Sequence, residues 1–191
     1  MKILDILVKP QTDFNDPNKF KAVFLVGGPC SGKAFVANTM LNGTSLRPVN
    51  CDEIDSSFAY NRVGLLLPSN GRDVEKVQAQ LDMVEKLGYD TIMLFVTANL
   101  EVTHKRNQEG NKRTPAELVT VEWNQAQDNL IKFKEIFNQD NFHVIDTSEN
   151  TQDAGRKYKL EAVANSVYDF LNTPPSSKQA KHWSHSNNSI R

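Results

Sequence analysis

KAVFLVGGPCSGKAFVANTM, residues 21–40, begins as a compact apolar run of β-formers, passes through glycines and ends in a helical pattern. "AVFLV" bounded by glycine has the character of a strand buried on both faces, as in parallel sheets, and "KAFVANTML" reads as a short helix ending near Gly43. Between them Gly27, four residues, Gly32 and Lys33 match the glycine-lysine spacing of a Walker A loop, in its required setting of strand, loop and helix. The amides of such a loop and the helix N-terminus form an anion site, and the lysine reaches the β- and γ-phosphates of a nucleotide. Gly28, Pro29, Cys30 and Ser31 supply the wall. Ala34 stands where these loops carry the serine or threonine hydroxyl that holds magnesium, and its methyl group cannot be a metal ligand.

Outward from this stretch the chain alternates strands and helices. A second strand is predicted at "LRPVN" and a third at "VGLLL", ended by a turn over Pro68 to Gly71. Val74, Val77, Leu81, Val84 and Leu87 fall at helical spacing, which predicts an amphipathic helix over 72–87 stopped by Gly88. "TIMLFV" is the fourth strand. The polar segment 100–114, containing "EVTHKRNQEGNKR", is expected to be a helix leading into a loop. Thr114, Pro115 and Glu117 predict an N-cap, a first-turn proline and a capping-box acid for a long helix striped by Val119, Trp123, Ala126, Leu130, Phe133 and Phe137. "FHVID" is the fifth strand and residues 155–171 the last helix. Five strands alternating with helices predict an α/β fold, a parallel five-stranded sheet of the P-loop NTPase type with helices on both faces and ligands at the carboxyl ends of the strands.

At 191 residues the chain is long enough for one well-buried domain. The expected organisation is an N-terminal appendage at 1–20, a kinase-like domain at 21–172 and a disordered polar tail at 173–191. Its 39% hydrophobic and 24% charged content is that of a globular protein, and a net charge of -1 gives no general attraction to polyanions. Two cysteines, Cys30 and Cys51, cannot build a disulfide framework, and no apolar run approaches the roughly 20 residues of a membrane span. A cytoplasmic protein with no membrane partner is the expectation.

Several polar residues are candidates for chemistry. Asp52, with Glu53 beside it and Asp55 as a substitute, follows the second strand, where a carboxylate is placed to take a proton from an attacking hydroxyl or to hold magnesium through water. An exposed acidic turn or a helix cap is the plainer reading of the same residues. Arg106, Lys112 and Arg113 make the polar segment a candidate lid whose guanidinium groups neutralise a transferring phosphoryl group, against the alternative of a solvated charged face.

"GGPCSGK", "VNCDE" and "LEVTHKRNQEGNKRTPAELV" together resemble the small P-loop kinases that include phage polynucleotide kinase and the zeta toxins. "LGYDTIMLFV" looks similar to predicted kinases of tailed phages. The resemblance runs from Val23 to Asp146. It implies ATP and Mg2+ as cofactors, ATP phosphates on Gly32 and Lys33, Asp52 as the base, and Arg106 and Arg113 as lid arginines. The catalytic set would then be Lys33, Asp52, Arg106 and Arg113, with nucleotide contacts from Gly27, Gly28, Pro29, Cys30, Ser31, Gly32, Lys33 and Ala34. The implied reaction moves the ATP γ-phosphoryl group to a hydroxyl of a nucleic-acid 5′ end, a nucleotide or another small molecule. Three departures accompany it: Ala34 at the hydroxyl position, "PSNG" after the third strand where an acidic or polar substrate residue is expected, and a segment from Asp55 to Val63 that is short for a substrate-binding helical insert. A nucleotide-binding protein without turnover and a nucleoside monophosphate kinase, with Arg62 or Arg72 at the acceptor phosphate, are the alternatives, and an alanine introduced in place of a serine is another source of the Ala34 departure.

Overall fold

The computed structural model describes residues 19–49, 62–111, 113–148 and 154–188. Five strands form one sheet, β1 (Lys21–Val26), β2 (Arg47–Pro48), β3 (Leu65–Ser69), β4 (Asp90–Thr97) and β5 (Phe142–Asp146). Their order is β2-β3-β1-β4-β5, and every neighbouring pair is parallel. The helices are α1 (Lys33–Met40), α2 (Val74–Lys86), α3 (Leu100–Glu109), α4 (Ala116–Ile136), α5 (Ala154–Asn172) and α6 (Lys178–Asn188).

The apolar character of the central strands follows from their having no solvent face. Along β1, Ala22, Phe24 and Val26 face α2 and α4, meeting Val77, Leu81, Ala126 and Phe133. Val23 and Leu25 face the other way, toward Val36 and Met40 of α1 and Leu160, Ala164 and Val167 of α5. Connections that move in opposite directions from the sheet centre thus carry their helices on opposite faces, as right-handed crossovers require. This is an α/β fold of the P-loop NTPase type, with helices on both faces of a parallel sheet. Because the strands are parallel, the loops after β1, β3, β4 and β5 gather at one edge, where the strand order reverses about β1.

Most elements match the sequence reading, with differences at their ends. β3 runs on through Pro68 and Ser69, two residues into the expected turn, because Val26 at the end of β1 still pairs with Ser69. Asp73 caps α2 by accepting from the Lys76 amide at 2.9 Å. Thr114 is not the cap of α4. Both of its backbone groups are taken by the Asn107 side chain, at 2.7 and 3.0 Å, and Pro115 precedes the helix without a side-chain cap.

The expected tail is corrected more substantially. Residues 178–188 are helical, Ala180 is fully buried, and Trp183 packs edge-on against Phe20 at 5.6 Å between ring centroids. Ser176 donates to Asp90, and the Ser177 hydroxyl donates to the Gly88 carbonyl at 2.7 Å. The sequence of this helix is polar on average, and among the described side chains Ala180 and Trp183 form its apolar face. Phe20, assigned to the appendage, is likewise core. At the same edge the buried Lys21 pairs with Asp90 at 2.8 Å. Residues 1–18 of the appendage and the candidates Cys51, Asp52, Glu53, Asp55 and Lys112 lie outside the described residues. No helix among the described residues is long and apolar enough to cross a membrane.

Candidate active site

The loop from Gly27 to Lys33 leaves the central strand and is fixed by close packing against both neighbours. A Cβ on Gly27 would sit 2.1 Å from the Val96 carbonyl oxygen of β4, so no other residue fits there. Gly27 N–H donates to the Ser69 carbonyl of β3 at 3.2 Å. Gly32, at φ 93, occupies the left-handed region that glycine adopts without strain and turns the chain into α1. Cys30, in the same loop as Gly28 and Pro29, also has a positive φ, 49. The carboxyl half of the wall is α4, whose Ala126 and Trp123 come against Gly28. Trp123, read as a core residue, is held there by donating Nε1–H to the Ala98 carbonyl at 2.7 Å.

Lys33 lies inside this loop. Its Nζ donates to the carbonyls of Gly27 at 2.6 Å and Gly28 at 2.8 Å. Burial pushes its pKa down to about 8, while Cys30 and Glu122 act in the opposite sense. The first intrahelical bond of α1 is donated by Val36 to the Gly32 carbonyl, which leaves the preceding N–H groups directed out of the helix start, as at any helix N-terminus. The buried Ser31 hydroxyl has no hydrogen-bond partner among the described residues. An orphan hydroxyl, a helix start and an ammonium group in one small loop fit a phosphate group. A magnesium site is not matched in the same way: Ala34 is exposed and has no side-chain oxygen, and no three His, Cys, Asp or Glu side chains among the described residues come together as a metal cluster.

Arg106 is brought to the loop and Arg113 is not. From α3 the Arg106 Nη1 donates to the Cys30 carbonyl at 3.2 Å and to the Thr147 hydroxyl at 2.8 Å, and Nη2 donates to the Thr147 carbonyl at 2.6 Å. Thr147, just after β5, has its hydroxyl 2.7 Å from the Ser31 carbonyl and lies against Gly32. The expected lid arginine is thus a strut between the phosphate loop and the sheet. Arg113 is exposed, in the connection that Asn107 pinches shut through Thr114.

Two neighbours of the loop escape sequence reasoning. Thr147 is one polar residue after a strand, and Glu122 is one acid on a helix striped by apolar residues. Glu122 meets Arg72 of the β3–α2 loop at 2.5 Å, with side-chain exposures of 18% and 41%. A search for an acid at the border of the α4 stripe would have found Glu122, but its partner is 50 residues away in sequence. Arg72 sits at the carboxyl edge, whereas Arg62, its alternative as an acceptor residue, sits at the opposite edge. The Arg62 carbonyl accepts from Phe20 N–H and its guanidinium lies over the Phe20 ring at 5.4 Å, which removes it from the site. The end of β3 carries Ser69 in place of an acid, and its hydroxyl accepts from Gly71 N–H at 3.3 Å.

No protein-family model matches the sequence, and the search of curated proteins finds no relative. Among solved structures, the chain is similar to one in the AvrRxo1-ORF1:AvrRxo1-ORF2 complex with sulphate ions, at 11% identity and a TM-score of 0.51 over 86% of this chain and 79% of that one. It is also similar to a gluconokinase from Sinorhizobium meliloti 1021, at 10% identity and a TM-score of 0.49 over 79% of this chain and 97% of that one. A third likeness is to the PezAT toxin-antitoxin system of Streptococcus pneumoniae, at 16% identity and a TM-score of 0.48 over 89% and 93% of the respective chains. At 11% identity the likeness to the first of these is one of fold alone, and it agrees with the architecture read from the sheet order.

Proposed function

We propose that the protein binds ATP through the 27–33 loop and transfers its γ-phosphoryl group to a hydroxyl acceptor. The observation that carries this reading is Lys33, folded onto the Gly27 and Gly28 carbonyls within a loop that ends at a helix start. Nucleotide phosphates offer the ammonium group stronger, charged acceptors than two carbonyls, and the loop N–H groups bind the same oxygens. Arg106 holds the loop to β5, so the anion site is shaped before the ligand arrives. In transfer, the bond from the γ-phosphorus to the bridging oxygen breaks, a bond to the acceptor oxygen forms, and the hydroxyl proton goes to a carboxylate. Asp52 is the proposed base, on the resemblance to small P-loop kinases, and Arg113 the proposed mobile arginine. A polynucleotide 5′ end is one acceptor within this reading.

Magnesium normally offsets charge on the β- and γ-phosphates of such a nucleotide. The described residues supply no cluster of three ligands for it. Ala34 and the acid-free end of β3 favour a second reading, nucleotide binding without turnover. Calorimetry with ATP and ADP tests binding, and ATP consumption with 5′-hydroxyl oligonucleotides, nucleosides and amino sugars tests transfer. Equal affinity in Lys33→Ala, or no nucleotide binding by the unmodified chain, overturns the proposal; binding with no transfer to any acceptor selects the second reading.

A further inference from the structure

The Lys33 side chain is arranged to act as a nucleophile as well as a counter-ion. Its Nζ donates to the Gly27 carbonyl at 2.6 Å and to the Gly28 carbonyl at 2.8 Å, which occupies two of its three free positions. The third is an N–H in the ammonium form and a lone pair in the neutral amine, so loss of one proton keeps both hydrogen bonds and frees an attacking electron pair. The residue is only partly buried, which leaves it open to a reagent from solvent.

The surroundings of the amine make both forms accessible near neutrality. Cys30 of the loop and Glu122 of α4 favour the charged form, but Glu122 is shared with Arg72, and the Arg106 guanidinium is committed to the Cys30 carbonyl and Thr147. Burial outweighs them and brings the pKa down to about 8. At pH 7 such an amine is deprotonated on the order of 10²-fold more often than an ordinary lysine, with its pKa of about 10.4. Around it the loop offers an anion seat, made of the N–H groups at the start of α1 and the buried Ser31 hydroxyl, which has no hydrogen-bond partner among the described residues. An electrophile that carries its own phosphate is thereby delivered to this lysine in preference to the others.

We propose that Lys33 is a site of acylation by acyl phosphates, and that the amide formed closes the loop to nucleotides. The proposal rests on the phosphate-site reading of the loop and is independent of transfer to an acceptor. The reagent's phosphate occupies the anion seat, and the Nζ lone pair attacks the acyl carbon. An N–C bond forms, the bond from the acyl carbon to the bridging oxygen breaks, its electron pair leaves on the phosphate, and the amine proton passes to that phosphate. No oxidant or reductant takes part. The product amide is neutral, so the loop loses the charge that nucleotide phosphates require of it.

Acetyl phosphate and acetic anhydride transfer the same acetyl group, and only the first carries a phosphate. In timed acetylation of the full chain, read by peptide mass spectrometry, acetyl phosphate is expected to label Lys33 about tenfold or more faster than the exposed Lys105 and Lys134, and the anhydride to show a smaller preference. Inorganic phosphate and ADP should each protect Lys33, and its labelling rate should rise with pH to about 8 and then level. Protein acetylated at Lys33 should lose ATP affinity about tenfold or more in calorimetry, the scale of one charged hydrogen bond. Labelling of Lys33 no faster than that of Lys105 and Lys134, an equal preference with either reagent, or no protection by phosphate overturns the proposal. So does acetylated protein that binds ATP as tightly as the parent. Selective labelling that phosphate blocks and ADP does not upholds the acylation site and sinks the nucleotide reading, whereas ATP binding by the parent without selective labelling sinks this inference alone.

Discussion

Arg106 grips Thr147 twice, Nη1 donating to the hydroxyl at 2.8 Å and Nη2 to the backbone carbonyl at 2.6 Å. The Thr147 hydroxyl in turn reaches the Ser31 carbonyl at 2.7 Å, so one threonine joins α3, the end of β5 and the phosphate loop. Thr147→Val keeps the shape and removes the hydroxyl. It leaves the buried Ser31 carbonyl short of a donor, which is expected to cost about 1–3 kcal/mol of stability. Nucleotide affinity should fall with it. Urea denaturation and ATP calorimetry measure the two effects, and a variant matching the parent in both would show that the strut does not shape the loop.

The lowered pKa of Lys33 gives nucleotide binding a pH dependence of known sign. Burial brings the group to about 8 from 10.5, so above pH 8 the free protein holds mostly neutral amine. Phosphate binding needs the ammonium form and must restore the proton. Affinity for ATP is therefore expected to fall from pH 7 to 9.5, approaching tenfold per pH unit at the upper end. Stability has the opposite trend from this group alone. The unfolded chain retains the proton more strongly, so the contribution of Lys33 rises between pH 8 and 10.5. Calorimetry across the range, repeated with Lys33→Met, separates this lysine from other titrating groups; a slope that survives the substitution belongs elsewhere.

Ala34→Ser places a hydroxyl on an exposed position in the first turn of α1 without disturbing the core. Magnesium should then strengthen ATP binding more in the variant than in the parent, and phosphoryl transfer should rise, on the order of 10²-fold if one positioning contact is restored. Parallel assays at matched magnesium decide it. No difference between the two proteins in either assay would mean that residue 34 does not limit the chain.

Removal of the Asp90 carboxylate tests the opposite edge of the sheet. Lys21 is 1% exposed and pairs with Asp90, whose carboxylate also accepts from Ser176. Asp90→Ala leaves a buried ammonium group uncompensated, for an expected loss of about 3–5 kcal/mol. A midpoint in denaturant close to that of the parent would show that solvent reaches Lys21.

The strands and the phosphate loop were legible because their signals are local. Apolar runs of five to six residues in β1 and β4 reflect burial on both faces, and the glycine-lysine spacing reflects a loop that must approach β4 at Gly27 and turn at Gly32. What sequence could not show is set by contacts between distant segments. Arg106 reads as a lid arginine until β5 is seen to end beside it, and Glu122 reads as a surface acid until Arg72 arrives from the β3–α2 loop. β2 was expected from "LRPVN" and shrinks to two exposed residues, since an edge strand has only one neighbour to extend it. α6 was missed because the segment is strongly polar on average, and its apolar face at Ala180 and Trp183 is revealed only where it packs against the core.

The seat of α6 also dictates an order of events during synthesis. Phe20 lies at the entrance to the first strand, between the ring of Tyr89 just before β4 and that of Trp183 in α6. The side of the Phe20 ring that Trp183 covers therefore stays open until α6 has been translated. Such long-range closure is slow and leaves apolar surface available to other chains in the interval. Until then the nascent chain carries an uncovered apolar patch at the amino-terminal edge of the sheet, opposite the phosphate loop.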